Sequence, residues 1–199
     1  FLNIRGFVSH EAELVELIEN SDFPTFIGLN ETFLPGEGVM KEVSLLGYVK
    51  VSRLDRRDCS GWGGIILFAR AGFEDYIVHV GDSTVAERSW HILHTDRGPV
   101  SLCLWYRPPN RGELATITSF TEEKALFAGD AFGHIVVGDL NVHEASWLRF
   151  SNGTSLEGQE LHAVCREHGL EERVRAPTRN DYLLDLVLTD LGSLVKPRV

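Results

Sequence analysis

His134-Ile135-Val136-Val137-Gly138-Asp139-Leu140-Asn141-Val142-His143-Glu144 is the stretch that decides the reading of this chain. Its apolar first half reads as a short buried strand. An Asp and an Asn two apart at the end of such a strand are costly to place for structure alone. Side chains two apart on an extended segment point the same way. Asp139 and Asn141 can therefore reach one common point, one with a carboxylate and the other with an amide. That pairing suits a hydrated metal ion and a phosphate better than it suits a core.

Outward from this stretch, strands and helices alternate without repeats. Strands are expected at 25–29, 48–51, 65–69, 76–80, 87–95, 100–106, 135–137 and 184–189. Ser9 is expected to cap a helix over about 10–20, with Leu14, Leu17 and Ile18 as its apolar stripe. A second helix is expected over about 113–127. Ser155 should cap a third, from about 156 to 168, with Leu161, Val164 and Cys165 inward and Gly169 as its stop. Along 87–95, Trp90, Ile92 and His94 are expected to share one face, and the turn at 97–99 makes a hairpin with the next strand. Pro24, Pro108, Pro109 and Pro177 all fall between elements, as prolines should. Many strands, few helices and a hairpin indicate an α/β (α+β) sandwich, with helices outside the sheets.

A chain of 199 residues is long enough for one sizeable core, so 1–199 is read as a single domain. It starts at Phe1, and Phe1-Leu2-Asn3-Ile4 is already strand-like, so an excised or fragmentary domain is expected. No apolar run approaches the ~20 residues of a membrane span. The three cysteines, Cys59, Cys103 and Cys165, form no C-x-x-C pair. They read as buried free thiols in a reducing, intracellular compartment. The net charge of −10 argues against a general nucleic-acid coat and a basic membrane binder. It leaves room for an enzyme that meets phosphate through a divalent cation. Two basic clusters, Arg53/Arg56/Arg57 and Arg173/Arg175/Arg179, read equally well as solvated faces.

Polar residues recur at strand ends. Asn3 lies on the first strand, Glu31 follows Phe26-Ile27-Gly28-Leu29, and Tyr106 ends Leu102-Cys103-Leu104-Trp105. Asp185 sits inside Leu183-Leu184-Asp185-Leu186-Val187-Leu188, where an ionised carboxylate needs a partner, such as Arg179, or a metal. Each residue alone has a bland structural explanation. Their repetition at several strand ends favours a site.

Asn3-Ile4-Arg5-Gly6, Gly28-Leu29-Asn30-Glu31-Thr32, Tyr106-Arg107-Pro108-Pro109-Asn110, Gly138-Asp139-Leu140-Asn141 and Asp185-Leu186-Val187-Leu188-Thr189 follow in that order. They resemble the successive motifs of the endonuclease/exonuclease/phosphatase superfamily. The closest likeness is to the apurinic/apyrimidinic-type endonuclease domain of non-LTR retrotransposons, which Ala176-Pro177-Thr178-Arg179 also resembles. The resemblance implies a four-layer sandwich of two packed mixed sheets flanked by helices. It implies Glu31 as principal ligand of Mg²⁺ or Mn²⁺, with Asn3 in the metal shell. Asp139 would orient or deprotonate the attacking water, Asn141 would hold a phosphate oxygen, and Tyr106 would support the phosphate or the nucleophile. Arg107 and Asn110 would face the substrate; 53–60 and 107–112 are candidate DNA-facing loops that read equally well as ordinary solvated loops. DNA is the implied partner, with a reverse transcriptase in the parent polyprotein and a nuclear location.

In the family, the Asp matching Asp185 pairs with a His of a later Ser-Asp-His motif. None of the eight histidines follows Asp185. The domain is therefore expected to be incomplete at its C-terminal end and feebly active by itself, with His143 the first candidate substitute. Two other readings stand beside the DNA endonuclease. One is a phosphatase of the same fold acting on an inositol phosphate or phospholipid; the other is an inactive remnant.

Overall fold

The computed structural model describes residues 1–36, 39, 42–56, 62–109 and 112–199. Ten strands and three α-helices follow one another among these residues: β1 (Leu2–Asn3), α1 (Glu11–Asn20), β2 (Phe26–Asn30), β3 (Tyr48–Leu54), β4 (Ile65–Arg70), β5 (Ile77–Asp82), β6 (Glu87–Thr95), β7 (Gly98–Tyr106), α2 (Ala115–Ala128), β8 (Gly133–Asp139), α3 (Leu156–Glu167), β9 (Glu171–Glu172) and β10 (Asp185–Thr189). The strands form two mixed sheets, ordered β1-β2-β4-β3 and β5-β6-β7-β8-β10-β9. The expected α/β sandwich is the observed architecture.

The sheets pack face to face because their strands carry apolar side chains on the inner face. Ile65, Leu67 and Ala69 of the first sheet share a cluster with Leu104 and Tyr106 of the second. Gly28 faces Leu104 so closely that a Cβ would lie 2.9 Å from its side chain. Outside the second sheet, α2 and α3 cover Trp90, Cys103, Trp105 and Val136 with Ile117, Phe120, Leu161 and Cys165. Outside the first, α1 packs Leu14 and Ile18 against Ile27, Leu29 and Phe68.

Several expectations change in detail. Ser9 does not cap α1; it lies in a 3₁₀ turn over Val8–His10, and His10 takes the cap position without a side-chain bond. Leu17 is exposed, because the apolar stripe needs only Leu14 and Ile18 to meet the sheet. On β6 the alternation fails, since Arg88, Ser89, Trp90 and His91 are all buried. The reason is that both faces of β6 are covered: Trp90 packs under α2, while His91 reaches across to Ser52 of the other sheet at 2.7 Å. β9 was not legible, as two glutamates make a poor strand pattern. Ser155 does cap α3, accepting from the Gly158 amide at 3.0 Å, and Gly169 adopts a left-handed φ of 65° just beyond it. Cys103 and Cys165 are buried free thiols, while Cys59 lies outside the described residues. No helix among the described residues is long and apolar enough to cross a membrane.

Candidate active site

Sheet topology delivers the polar residues to one end of the sandwich. β1 and β2 are parallel and pair Asn3 with Asn30. β7 and β8 are parallel and end at Tyr106 and Asp139. β10 runs antiparallel to β8, so its first residue, Asp185, lies opposite Asp139. The chain around Asp139 is held on both flanks. Arg107 N–H donates to the Asp139 carbonyl at 2.9 Å, and Leu140 N–H donates to the Leu184 carbonyl at 3.0 Å. Gly138 is required here, because a Cβ would overlap the Trp105 carbonyl.

Asp139 is wholly buried. Its Oδ2 accepts from Asn3 Nδ2 at 2.7 Å and from the Arg179 guanidinium at 2.6 Å. The first of these bonds joins the two sheets, as does Asn30 Nδ2 donating to the Trp105 carbonyl at 3.1 Å. Burial, reinforced by the facing Asp185, pushes the Asp139 carboxyl up to about 6 against the pull of Arg179 and Asn3. Arg179, though partly desolvated, is held above its usual range by Asp139, Asp185 and Glu31. Burial raises the Tyr106 hydroxyl strongly, and Glu31 adds to this through its charge and a hydrogen bond. Tyr106 therefore stays protonated. Asn3, Glu31, Tyr106, Asp139 and Asp185 thus form one electrostatically linked group around Arg179.

Asn141 comes to the site by another route than expected. β8 stops at Asp139, and Asn141 is left-handed with φ 47°. It is a turn residue, not the next inward position of a strand. One amide N–H donates to the Arg107 carbonyl at 2.9 Å, which leaves the second. Asn141 lines a cleft of about 730 Å³ with Arg107, His143, Asn152 and Glu157. Asn3, Arg5, Arg179 and Asp185 line a neighbouring cleft of about 740 Å³. The Arg107 side chain is only 2% exposed and lies 3.7 Å from Glu157, and its burial lowers its pKa. Asn110 lies outside the described residues, as do 57–60. His143 uses Nδ1 to face Ser151 and the Asn152 amide.

Arg5, Glu31 and Asn141 have φ near 50°, as do Asp22, Phe23, Phe33, Phe150 and Asn180, so left-handed backbone does not by itself mark the site. The expected partner of Asp185, Arg179, binds Asp139 instead. Thr178 Oγ1 accepts from the Asp185 amide at 3.0 Å and so sets the start of β10. Neither role has a sequence signal beyond the Ala176-Pro177-Thr178-Arg179 motif, because both are contacts across a long loop.

The sequence matches no family model and no curated protein. Solved structures are similar. The endonuclease domain of TRAS1, a telomere-specific non-LTR retrotransposon, superposes with a TM-score of 0.68 at 14% identity, over 97% of this chain and 84% of its own. An endonuclease/exonuclease/phosphatase family protein from Bacteroides thetaiotaomicron gives 0.64 at 18% identity, over 94% and 76%. A mannosyl-6-phosphatase from the same bacterium gives 0.63 at 17% identity, over 94% and 79%.

The chain has the endonuclease/exonuclease/phosphatase fold.

Within this fold, the site can be tested for a metal. Asn3 Oδ1, Asp139 Oδ1 and Asp185 Oδ1 are buried without a hydrogen-bond partner among the described residues. Buried carbonyl and carboxylate oxygens are rarely left so. With Glu31 they make an all-oxygen donor set, the chemistry of a hard divalent cation. No trio of His, Cys, Asp or Glu among the described residues is grouped as a metal site, so the fit depends on amide oxygen joining the carboxylates.

Proposed function

We propose that this chain is a divalent-metal-dependent phosphodiesterase that nicks DNA, as the integration endonuclease of a retroelement. The observation that carries it is the buried Asp139, tied to Asn3 and Arg179 and left with one unpartnered oxygen at the strand-end cluster. Its carboxyl, raised to about 6, is suited to a general base near neutral pH. In this reading Asp139 takes a proton from water as that water attacks phosphorus. The bond from phosphorus to the 3′ oxygen breaks, and that oxygen takes a proton from solvent, leaving a 3′-hydroxyl and a 5′-phosphate. Asn141 holds a phosphate oxygen with its second amide N–H. Tyr106, kept protonated, supports the same phosphate. Glu31 and Asn3 would hold Mg²⁺ or Mn²⁺, which would supply stabilisation of charge on the phosphoryl and leaving oxygens. The likeness to the TRAS1 domain and the ordered motifs support DNA as the substrate. A reverse transcriptase as partner and a nuclear site of action belong to the same proposal.

The test is nicking of supercoiled plasmid. A protein containing 1–199 should relax the plasmid with Mg²⁺ and stop with a chelator. Glu31→Ala and Asp139→Ala should each lose about 10³-fold or more, roughly 4 kcal/mol of transition-state stabilisation. Retained activity in Asp139→Ala sinks the assigned base. The similarity to a mannosyl-6-phosphatase favours a second reading, in which the same residues act on a phosphomonoester of a small molecule. Release of inorganic phosphate from a sugar or inositol phosphate, with no nicked plasmid, would select it.

A further inference from the structure

A basic concavity lies where the end of α3 meets β9 and is not used by the chemistry above. Arg149, Arg166 and Arg175 surround an indentation of about 290 Å³ together with His162, Trp147, Glu171 and Glu172. Arg149 comes from the loop after β8, Arg166 from the last turn of α3, and Arg175 from the loop after β9. All three are exposed. His162 stacks on Trp147, with ring centroids 4.8 Å apart and planes 3° from parallel.

The charges here are not balanced internally. Glu172 is buried, pairs with Arg175 at 3.1 Å and also feels Arg149. One carboxylate thus serves two guanidiniums. Glu171 turns to Arg173 at 3.3 Å. The Arg166 side chain makes no hydrogen bond or ion pair among the described residues. The sequence has 29 acidic against 19 basic side chains, so carboxylates to quench these arginines are plentiful. Solvent screens the repulsion among these exposed arginines, and their surplus leaves guanidinium donors for an anion.

Connectivity ties the concavity to the active site. Arg175 is four residues from Arg179, which binds Asp139. Four residues of chain span at most about 14 Å. Arg149 adjoins Phe150, whose carbonyl accepts from Leu183 N–H, two residues before Asp185. An anion held here would lie within one duplex turn, ~34 Å, of the strand-end carboxylates.

We propose that Arg149, Arg166 and Arg175 form a contact for the DNA backbone, binding phosphates within one duplex turn of the cut. The proposal rests on the phosphodiesterase reading and extends it to a named part of the surface. A planar guanidinium suits bidentate phosphate binding, and such contacts position a duplex without reading its sequence. The Trp147–His162 stack forms the wall of the concavity and fixes its shape.

The test is anisotropy titration of a fluorescent ~20-base-pair duplex in EDTA, across a series of salt concentrations. Arg149→Gln/Arg166→Gln is compared with wild type and with Arg97→Gln, which alters the exposed hairpin turn at the opposite end of the sandwich. Losing two phosphate contacts should reduce the salt slope by about 2 and weaken binding at every duplex sequence. Arg97→Gln should match wild type. Thermal melts confirm that the variants are folded. An unchanged slope in the double variant, with wild type binding normally, overturns the basic contact alone. Failure of wild type to bind any duplex overturns both this proposal and DNA as the substrate.

Discussion

Two regions of this molecule bury charge, and they do it in opposite ways. Under α2, Arg88 is fully buried, and each of its guanidinium nitrogens is used: Nε on Glu123 at 2.8 Å, one terminal nitrogen on the Thr116 carbonyl and the other on Ser119. Glu123 in turn accepts from Ser83 and Trp90. Although burial opposes it, this network holds the Glu123 carboxyl below its usual range. At the strand ends, Asp139 is equally buried, yet one of its oxygens has no partner among the described residues, Asp185 faces it, and its carboxyl is raised to about 6. A buried pair whose capacity is filled is structure. A buried cluster with capacity left over is a binding site held open at some cost in stability.

This contrast can be broken by substitution. Arg88→Ala should have the largest effect, because it strands Glu123 beneath α2; a loss of about 3–5 kcal/mol is expected in denaturant unfolding. The strand-end site should behave in the reverse manner. The folded-state carboxyl of Asp139 lies above its ordinary 3.8, so the folded protein retains that proton more tightly. Stability from this group is present at low pH and is lost as pH rises from about 4 through about 6. Asp139→Asn, which mimics the protonated form, should therefore be more stable than wild type at pH 8 by on the order of 2–3 kcal/mol. The difference should fade by pH 4. Equal stabilities at pH 8 would remove the argument that the site is strained.

Smaller effects sharpen the picture. Arg179 holds Asp139 down, so Arg179→Gln should move the acidic limb of the rate profile upward, by about one pH unit. In wild type that limb should lie at or below about pH 6, since a bound cation would favour the Asp139 carboxylate over its protonated form. A limb that stays in place in Arg179→Gln would show that a different group titrates. Tyr106→Phe should cost least, about 10-fold in kcat or roughly 1.4 kcal/mol, with unfolding little changed. It removes one donor from a site with others.

The elements most legible in sequence were those whose cause is local. Ser155 and Gly169 bound α3 because a cap and a left-handed stop each involve only their neighbours. The strand before Asp139 was legible from its apolar run. The alternation along β6 misled because burial on both faces is decided by what packs there, and only the assembled sandwich places Ser52 against His91. The same limit applied at the site. Asp139 and Asn141 were singled out as an extended pair, but the strand ends between them and Asn141 reaches its position through a turn.

The sequence by itself determined that polar residues would stand at the ends of buried strands, since side-chain type and strand register are properties of short segments. Only the tertiary structure decided which of those residues meet. Parallel β1 with β2 and β7 with β8, and antiparallel β10 against β8, bring residues as distant as Asn3, Asp139 and Arg179 within hydrogen-bonding reach. The pKa of Asp139 depends on that meeting, because desolvation and a facing carboxylate exist only after the sheets have closed.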